Sequence, residues 1–279
     1  KSIDTKKAEA HPGVKAVVTH KDIVDFPLDK SVMLGIQDMR WMCRNVMARE
    51  KALFYGHPVA AVAAINEKVA AEACKLIEVE YEVLPHVIDV EAAMKPDAPI
   101  LHDFIRYKDK PSNIAGTLEH KLGDVEAGFA KADVVIERSF RTEPVHQGYI
   151  EPHSCLVSVS DGKATIWSSS QGQFMVRAMC AYLTGIPQND IRAIPAEIGG
   201  GFGGKTIIYL EPVALMLAKK SGRPVKMVMT REEVMRASGP TSGSYSTVKI
   251  GAKRDGTLVA GQGTFYLQAG AFPGSPIRG

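Results

Sequence analysis

The chain has 279 residues, room for about two domains. Hydrophobic residues make up 45% and charged residues 23%, an ordinary globular balance, and a net charge of +3 argues against an extended nucleic-acid surface, which needs clustered Lys and Arg. No apolar run reaches the roughly 18–20 residues that cross a bilayer, and the polar stretch Lys1 to Ala10 lacks the apolar core of a signal peptide.

From Lys1 to about Pro85 the predicted elements are mixed α and β. Lys15 to Thr19 (KAVVT) is a β-branched strand after a His-Pro-Gly turn. Lys51 to Ile65 (KALFYGHPVAAVAAI) reads as strand, turn, strand, split at Gly56, His57 and Pro58. Asn66 caps a helix through EKVAAEACKL, with Val69, Ala73 and Leu76 on one face. Ile77 to Pro85 alternates apolar and acidic residues, the pattern of a half-buried strand. From His86 to Leu118 prolines and charges crowd together, which predicts a surface linker with one short helix at Val90 to Met94.

A second region begins near Glu119. Asp124 caps a short helix, VEAGFAKA, and ADVVIERSFRTEP follows as a long strand. Cys155 to Ser160 and Ala164 to Ser170 flank Asp161–Gly162, a hairpin signal. Phe174 to Leu183 carries apolar residues at helical spacing, and Thr206 to Lys220 is a second helix, stopped by Ser221–Gly222. Thr230 and Glu233 form a capping box for a third, and Tyr245 to Ala269 is a hairpin about Asp255–Gly256. Helices interleaved with antiparallel hairpins predict an α+β class rather than a doubly wound parallel sheet.

The four cysteines, Cys43, Cys74, Cys155 and Cys180, never pair as C-x-x-C, and no two histidines stand at H-x-x-x-H spacing. Neither an iron–sulfur nor a zinc framework is therefore written in the chain, and the cysteines read as buried free thiols in a reducing, cytoplasmic setting. The missing initiator Met and the Gly/Pro-rich end read as marks of a piece of something longer.

Gly199 to Thr206 (GGGFGGKT) fits G-x-x-x-x-G-K-[ST], the phosphate loop of nucleotide hydrolases, with Lys205 as phosphate ligand and Thr206 on Mg²⁺. Two features weigh against it. No later strand ends in the acidic residue that would hold the metal, and the flanking hairpins are antiparallel. A flexible turn without a ligand, or a non-catalytic assembly module, is the bland alternative. Ordering so many glycines is costly, however, and Phe202 offers a large apolar face that a hinge does not need.

The loop GGGFGGK resembles the glycine-rich loop of the molybdenum hydroxylases, the xanthine dehydrogenase, aldehyde oxidase and carbon monoxide dehydrogenase family. RTEPVHQGYIEPHSCLVSV and IWSSSQGQFMVRAMCAYLTGIPQNDIRAIPAEIGGGFGGK resemble further segments of the same family. SIDTKKAEAHPGVKAVVTHKDI and YGHPVAAVAAINEKVAAEACKLIEVEYEVLP are similar to its α/β hammerhead domain, and GDVEAGFAKADVVIERSF to its domain junction. The resemblance implies a hammerhead domain over 1–86, a linker over 87–118, and the first half of a mixed helix and antiparallel-sheet molybdopterin-binding domain over 119–279. It implies a molybdenum–molybdopterin cofactor and hydroxylation of a carbon centre in a heterocycle or aldehyde, with oxygen from water. Electrons would pass to iron–sulfur clusters and FAD on partner subunits or domains, within an oligomeric complex that also holds the remainder of the molybdenum subunit. Neither nucleic acid nor membrane is among the partners it implies.

By the same resemblance Gln171, Gly201, Phe202 and Gly203 contact the cofactor, and no protein side chain ligates the metal directly. Thr206 stands where purine-oxidising members place a glutamate, so it is substrate-proximal and argues against purine oxidation in that manner. The family's catalytic glutamate lies beyond Gly279, which leaves no catalytic residue in this chain and predicts that it is inactive alone. Lys205 reads as a bystander.

Overall fold

The computed structural model describes residues 1–35 and 37–272. β1 (Ser2–Asp4), α1 (Lys6–Glu9) and β2 (Val14–Thr19) lead to a short ladder, β3 (Met33–Leu34) with β4 (Gln37–Asp38), and then to α2 (Met39–Val46). β5 (Ala60–Ala64), α3 (Glu67–Cys74) and β6 (Glu78–Glu80) follow. Next come α4 (Val90–Ala93), the ladder β7 (Arg106–Tyr107) with β8 (Lys110–Pro111), α5 (Val125–Ala130) and β9 (Val134–Thr142). The order continues with β10 (Ser154–Ser160), β11 (Lys163–Ser168), α6 (Gln173–Thr184), β12 (Ile191–Pro195), α7 (Glu211–Ser221), β13 (Val225–Val228) and α8 (Arg231–Ala237). A hairpin of β14 (Ser244–Ala252) and β15 (Leu258–Leu267) ends it. The class is α+β.

The predicted caps form. Asn66 accepts from the Val69 N–H at 2.9 Å, Asp124 from the Ala127 N–H at 3.0 Å, and Thr230 and Glu233 close their capping box. Gly185 and Gly222 stop α6 and α7 in the left-handed conformation.

Four expectations need correction. Lys51 to Tyr55 is not a strand: the Leu53 N–H donates to His57 Nδ1, and the Phe54 and His57 rings stack, so the backbone turns there. The strand expected over Ile77 to Pro85 pairs only at Glu78–Glu80, because its partner β1 is three residues long. The second helix begins at Glu211 rather than Thr206. Cys74 is exposed, while Cys43, Cys155 and Cys180 are buried free thiols.

The chain makes two compact units, each from two segments: Lys1–Leu84 with His146–Gly239, and Pro85–Val145 with the chain from Pro240 on. In the first, a four-stranded sheet runs β12-β11-β10-β13. β11 and β12 are parallel, joined through α6, and the other pairs are antiparallel. α7 packs against β10 and also against the antiparallel pair β2–β5. It is apolar almost all round, with Val213, Ala214, Leu215, Leu217 and Ala218 buried, as a helix between two layers must be. In the second unit β9, β14 and β15 form an antiparallel sheet with α5 on one face. Among the described residues no helix is long and apolar enough to cross a membrane.

Candidate functional site

Because β11 and β12 are parallel, their carboxyl ends meet at one end of the sheet, with Ser168 opposite Pro195. That juxtaposition brings the two segments that leave them together: Ser169 to Gln171 from β11, and the glycine loop from β12. The Gln171 side chain then fixes the loop. Its Oε1 accepts the N–H of Gly203 at 3.1 Å and of Lys205 at 3.0 Å, while the Gln171 backbone N–H donates to the Lys205 carbonyl at 2.9 Å. The Ser170 hydroxyl donates to the same carbonyl at 3.3 Å. Inside the loop the Gly204 N–H donates to the Gly201 carbonyl at 2.7 Å, and the Thr206 hydroxyl donates to the Gly203 carbonyl at 2.7 Å.

At two of the glycines any larger residue would force a neighbouring side chain to move. A methyl on Gly201 would lie 2.6 Å from Gln171 Oε1, and one on Gly204 would lie 2.7 Å from the Tyr149 ring. Phe202, between them, has φ +47°, a conformation costly for a bulky residue, and its ring is 73% exposed. The loop thus gathers Gln171, Gly201, Phe202, Gly203 and Thr206 in one place.

The donors left over define what the loop can bind. The N–H groups of Gly200, Gly201 and Phe202 and the Gln171 side-chain amide nitrogen have no hydrogen-bond partner among the described residues. All are uncharged donors set on a loop held from beneath, an arrangement that suits anionic oxygens.

Lys205 is not a bystander, and it is not a phosphate ligand. Its side chain is 1% exposed, with Nζ 2.5 Å from Glu151 Oε2 and 5.1 Å from the Tyr149 ring centre. The same Glu151 oxygen accepts the Gly199 N–H at 2.9 Å. No helix begins under the glycines, since α7 starts at Glu211, so the helix N-terminus that a phosphate loop relies on is lacking. Glu151 and Tyr149 were not singled out from the sequence. The only signal for them was the aromatic-apolar-Glu-Pro run Tyr149 to Pro152, which carries no spacing rule of its own.

Behind the loop lies a buried polar group. Tyr149 Oη and His153 Nε2 share a hydrogen bond of 2.7 Å, Tyr149 Oη and Ser238 Oγ one of 3.1 Å, and Ser238 Oγ and His146 Nε2 one of 3.0 Å. Burial, with the Lys205 charge adding to it, pushes His153 down to about 4, so it stays neutral at pH 7. Burial raises the Tyr149 phenol and takes Tyr209, whose ring meets His153 edge-on, up to about 12.

Residues 106–277 match the family of the molybdopterin cofactor-binding domain, and residues 1–85 match the a/b hammerhead domain of aldehyde oxidase and xanthine dehydrogenase. The chain belongs to this family. It is 36% identical to the carbon monoxide dehydrogenase large chain of Afipia carboxidovorans, over 98% of this chain and 34% of that one. It is 34% identical to the "Probable hypoxanthine oxidase XdhD" of Escherichia coli K12, over 97% of this chain and 31% of the relative. Among solved structures, aldehyde oxidoreductase from Desulfovibrio gigas superposes with a TM-score of 0.79 at 29% identity, over 96% of this chain and 29% of that chain. The chain spans about one third of the length of these relatives. The donor set fits the family's cofactor in its chemistry: the Gly200, Gly201 and Phe202 N–H groups and the Gln171 amide nitrogen have no partner among the described residues, and a Cβ at Gly201 would lie 2.6 Å from Gln171 Oε1.

Proposed function

We propose that this chain is the hammerhead and first cofactor-binding portion of a molybdenum-dependent hydroxylase large subunit. Its divisions fall at 1–86, 87–118 and 119–279. The observation that carries the reading is the glycine loop pinned through Gln171, with the Gly200, Gly201 and Phe202 N–H groups left free. When bound, the molybdenum–molybdopterin cofactor supplies two-electron hydroxylation of a carbon centre, with oxygen drawn from water.

The chain's own residues hold and orient. The free loop N–H groups and the Gln171 amide donate to anionic oxygens, where each such donor is worth about 2.7–4 kcal/mol when aimed at charge that develops during reaction. The exposed Phe202 ring walls the site against water. Thr206, whose hydroxyl is tied to the Gly203 carbonyl, leaves no carboxylate beside the substrate to grip a purine, which suits another heterocycle or an aldehyde. The catalytic base, the iron–sulfur clusters and FAD come from the rest of the subunit and its partners, in a cytoplasmic oligomer.

Elemental analysis of the full-length protein tests this directly. Molybdenum and pterin are expected in near-stoichiometric amount, and both should fall sharply in Gln171→Ala. A full-length protein free of molybdenum when expressed in a cofactor-producing host would overturn the reading. Chain 1–279 alone, supplied with cofactor, is expected to turn over no heterocycle or aldehyde, and measurable turnover would refute the division of labour.

A further inference from the structure

We propose, resting on the reading just given, that Lys205 and Glu151 are positioning residues that hold both ends of the glycine loop through one carboxylate oxygen. Glu151 Oε2 accepts the Gly199 N–H where the loop begins, at 2.9 Å, and meets the Lys205 ammonium where it ends, at 2.5 Å. The approach is close. A methyl on Gly199 would stand 2.9 Å from Glu151 Cβ, so the loop entrance lies directly on that side chain. At the far end the Lys205 backbone carries the Gln171 contacts on both its N–H and its carbonyl. Lys205 therefore joins the two anchors, by its side chain to Glu151 and by its main chain to Gln171.

Between these ends, Gly200 to Phe202 present their free N–H groups, and the backbone there is left-handed at Gly200 and Phe202. Such a segment keeps an unfavourable conformation only when its surroundings over-determine it. The Lys205 charge is sealed from water, with Glu151 at 2.5 Å and the Tyr149 ring at 5.1 Å as its neighbours. Removing Glu151's charge leaves a buried ammonium uncompensated. Removing Lys205's charge leaves a carboxylate that is partly exposed and can turn to water, releasing Gly199. Either change loosens the loop locally, while the sheet beneath it keeps its own ladder.

Amide hydrogen exchange on the full-length protein tests this without relying on turnover. In Lys205→Met and in Glu151→Gln, exchange of the segment 197–206 is expected to speed up at least about tenfold, with β10 and α6 unchanged. The double variant is expected to be no faster than the faster single one, since the two side chains act as a unit. In the molybdenum-loaded protein the Mo(V) electron paramagnetic resonance signal should shift in both single variants, which general destabilisation would not produce. Unchanged exchange over 197–206 in a folded variant, or strictly additive effects in the double, overturns the proposal. Should Lys205→Met fail to fold, Glu151→Gln decides alone, because Glu151 sits partly in solvent. Molybdenum content of the unsubstituted protein reports on the proposed function separately, so loss of one reading does not carry the other with it.

Discussion

At the scale of single residues, Phe202 is where the loop departs furthest from what a chain prefers. A left-handed conformation costs an L-residue roughly 1–2 kcal/mol, and a ring left 73% exposed recovers little of that by burial. Phe202→Gly is therefore expected to raise stability by up to about 1 kcal/mol, the gain being trimmed by glycine's larger unfolded-state entropy. It should also lower molybdenum retention in the full-length protein. Thermal melts and metal analysis of the same preparation check both, and a destabilised Phe202→Gly would mean that the ring is held by contacts. Gly201→Ala acts in the opposite sense. Its methyl displaces Gln171 Oε1 and so breaks two hydrogen bonds, for a loss of about 1–2 kcal/mol that Gln171→Ala should not add to. His153 sets a pH dependence. Its folded pKa of about 4 lies below the ordinary 6.5, so between those values the unfolded chain binds the proton and the folded chain does not. Stability is then fully present above about pH 6.5 and falls by as much as ~3 kcal/mol as pH drops towards 4. His146, also lowered by burial, pulls the same way. His153→Gln keeps a polar partner for Tyr149 and should flatten most of the slope in denaturant titrations at pH 4 and 7.

At the scale of elements, local chemistry decides the ends and tertiary context decides the rest. The capping box at Thr230 is local, so Thr230→Ala should cost about 1 kcal/mol, read as a shift in denaturant midpoint at constant slope. A cost near zero would mean that packing of Val234 alone holds α8. The same locality made much of the fold legible in the sequence: Asn66, Asp124, the Asp161–Gly162 turn and Gly222 each carry their signal within a few residues. What escaped has non-local causes. α2 buries Met39, Met42, Cys43 and Val46, but Arg40, Arg44 and Asn45 interrupt its apolar pattern, and Arg44 is accommodated by Asp25 and Glu50 from outside the helix. Thr206 looked helical by composition, yet its N–H and its hydroxyl both donate to the Gly203 carbonyl, which ties it to the loop, and the helix begins only at Glu211. The candidate site was legible where a motif covers it, at Gln171 and the glycines. The Glu151–Lys205 pair was not, because 54 residues separate its members and no spacing rule links them.

At the scale of the whole molecule, the second unit carries an apolar face that its own fold does not cover. Along β9 and β14 the side chains alternate. α5 covers one face, where the Phe129 ring lies against Gly251 and under Lys249. The opposite face presents Val134, Ile136, Phe140, Val248, Ile250 and Leu258 around a cavity volume of about 350 Å³, with Arg138 as the charged residue among those described there. Ile136 opposes Ile250 and Val134 opposes Ala252 in register, so the apolar groups are contiguous. A contiguous patch of this kind in water favours dye binding and self-association. The isolated chain is therefore expected to bind an apolar dye such as ANS while folded, and to self-associate as concentration rises. Phe140→Thr together with Ile250→Thr should reduce both, with secondary structure retained, because threonine keeps β-branching on a strand. The reduction in dye fluorescence at matched fold content is the deciding measurement. Equal fluorescence in the double variant would place the exposed apolar surface elsewhere, with Val83, Ile150 and Phe174 of the first unit the next residues to substitute.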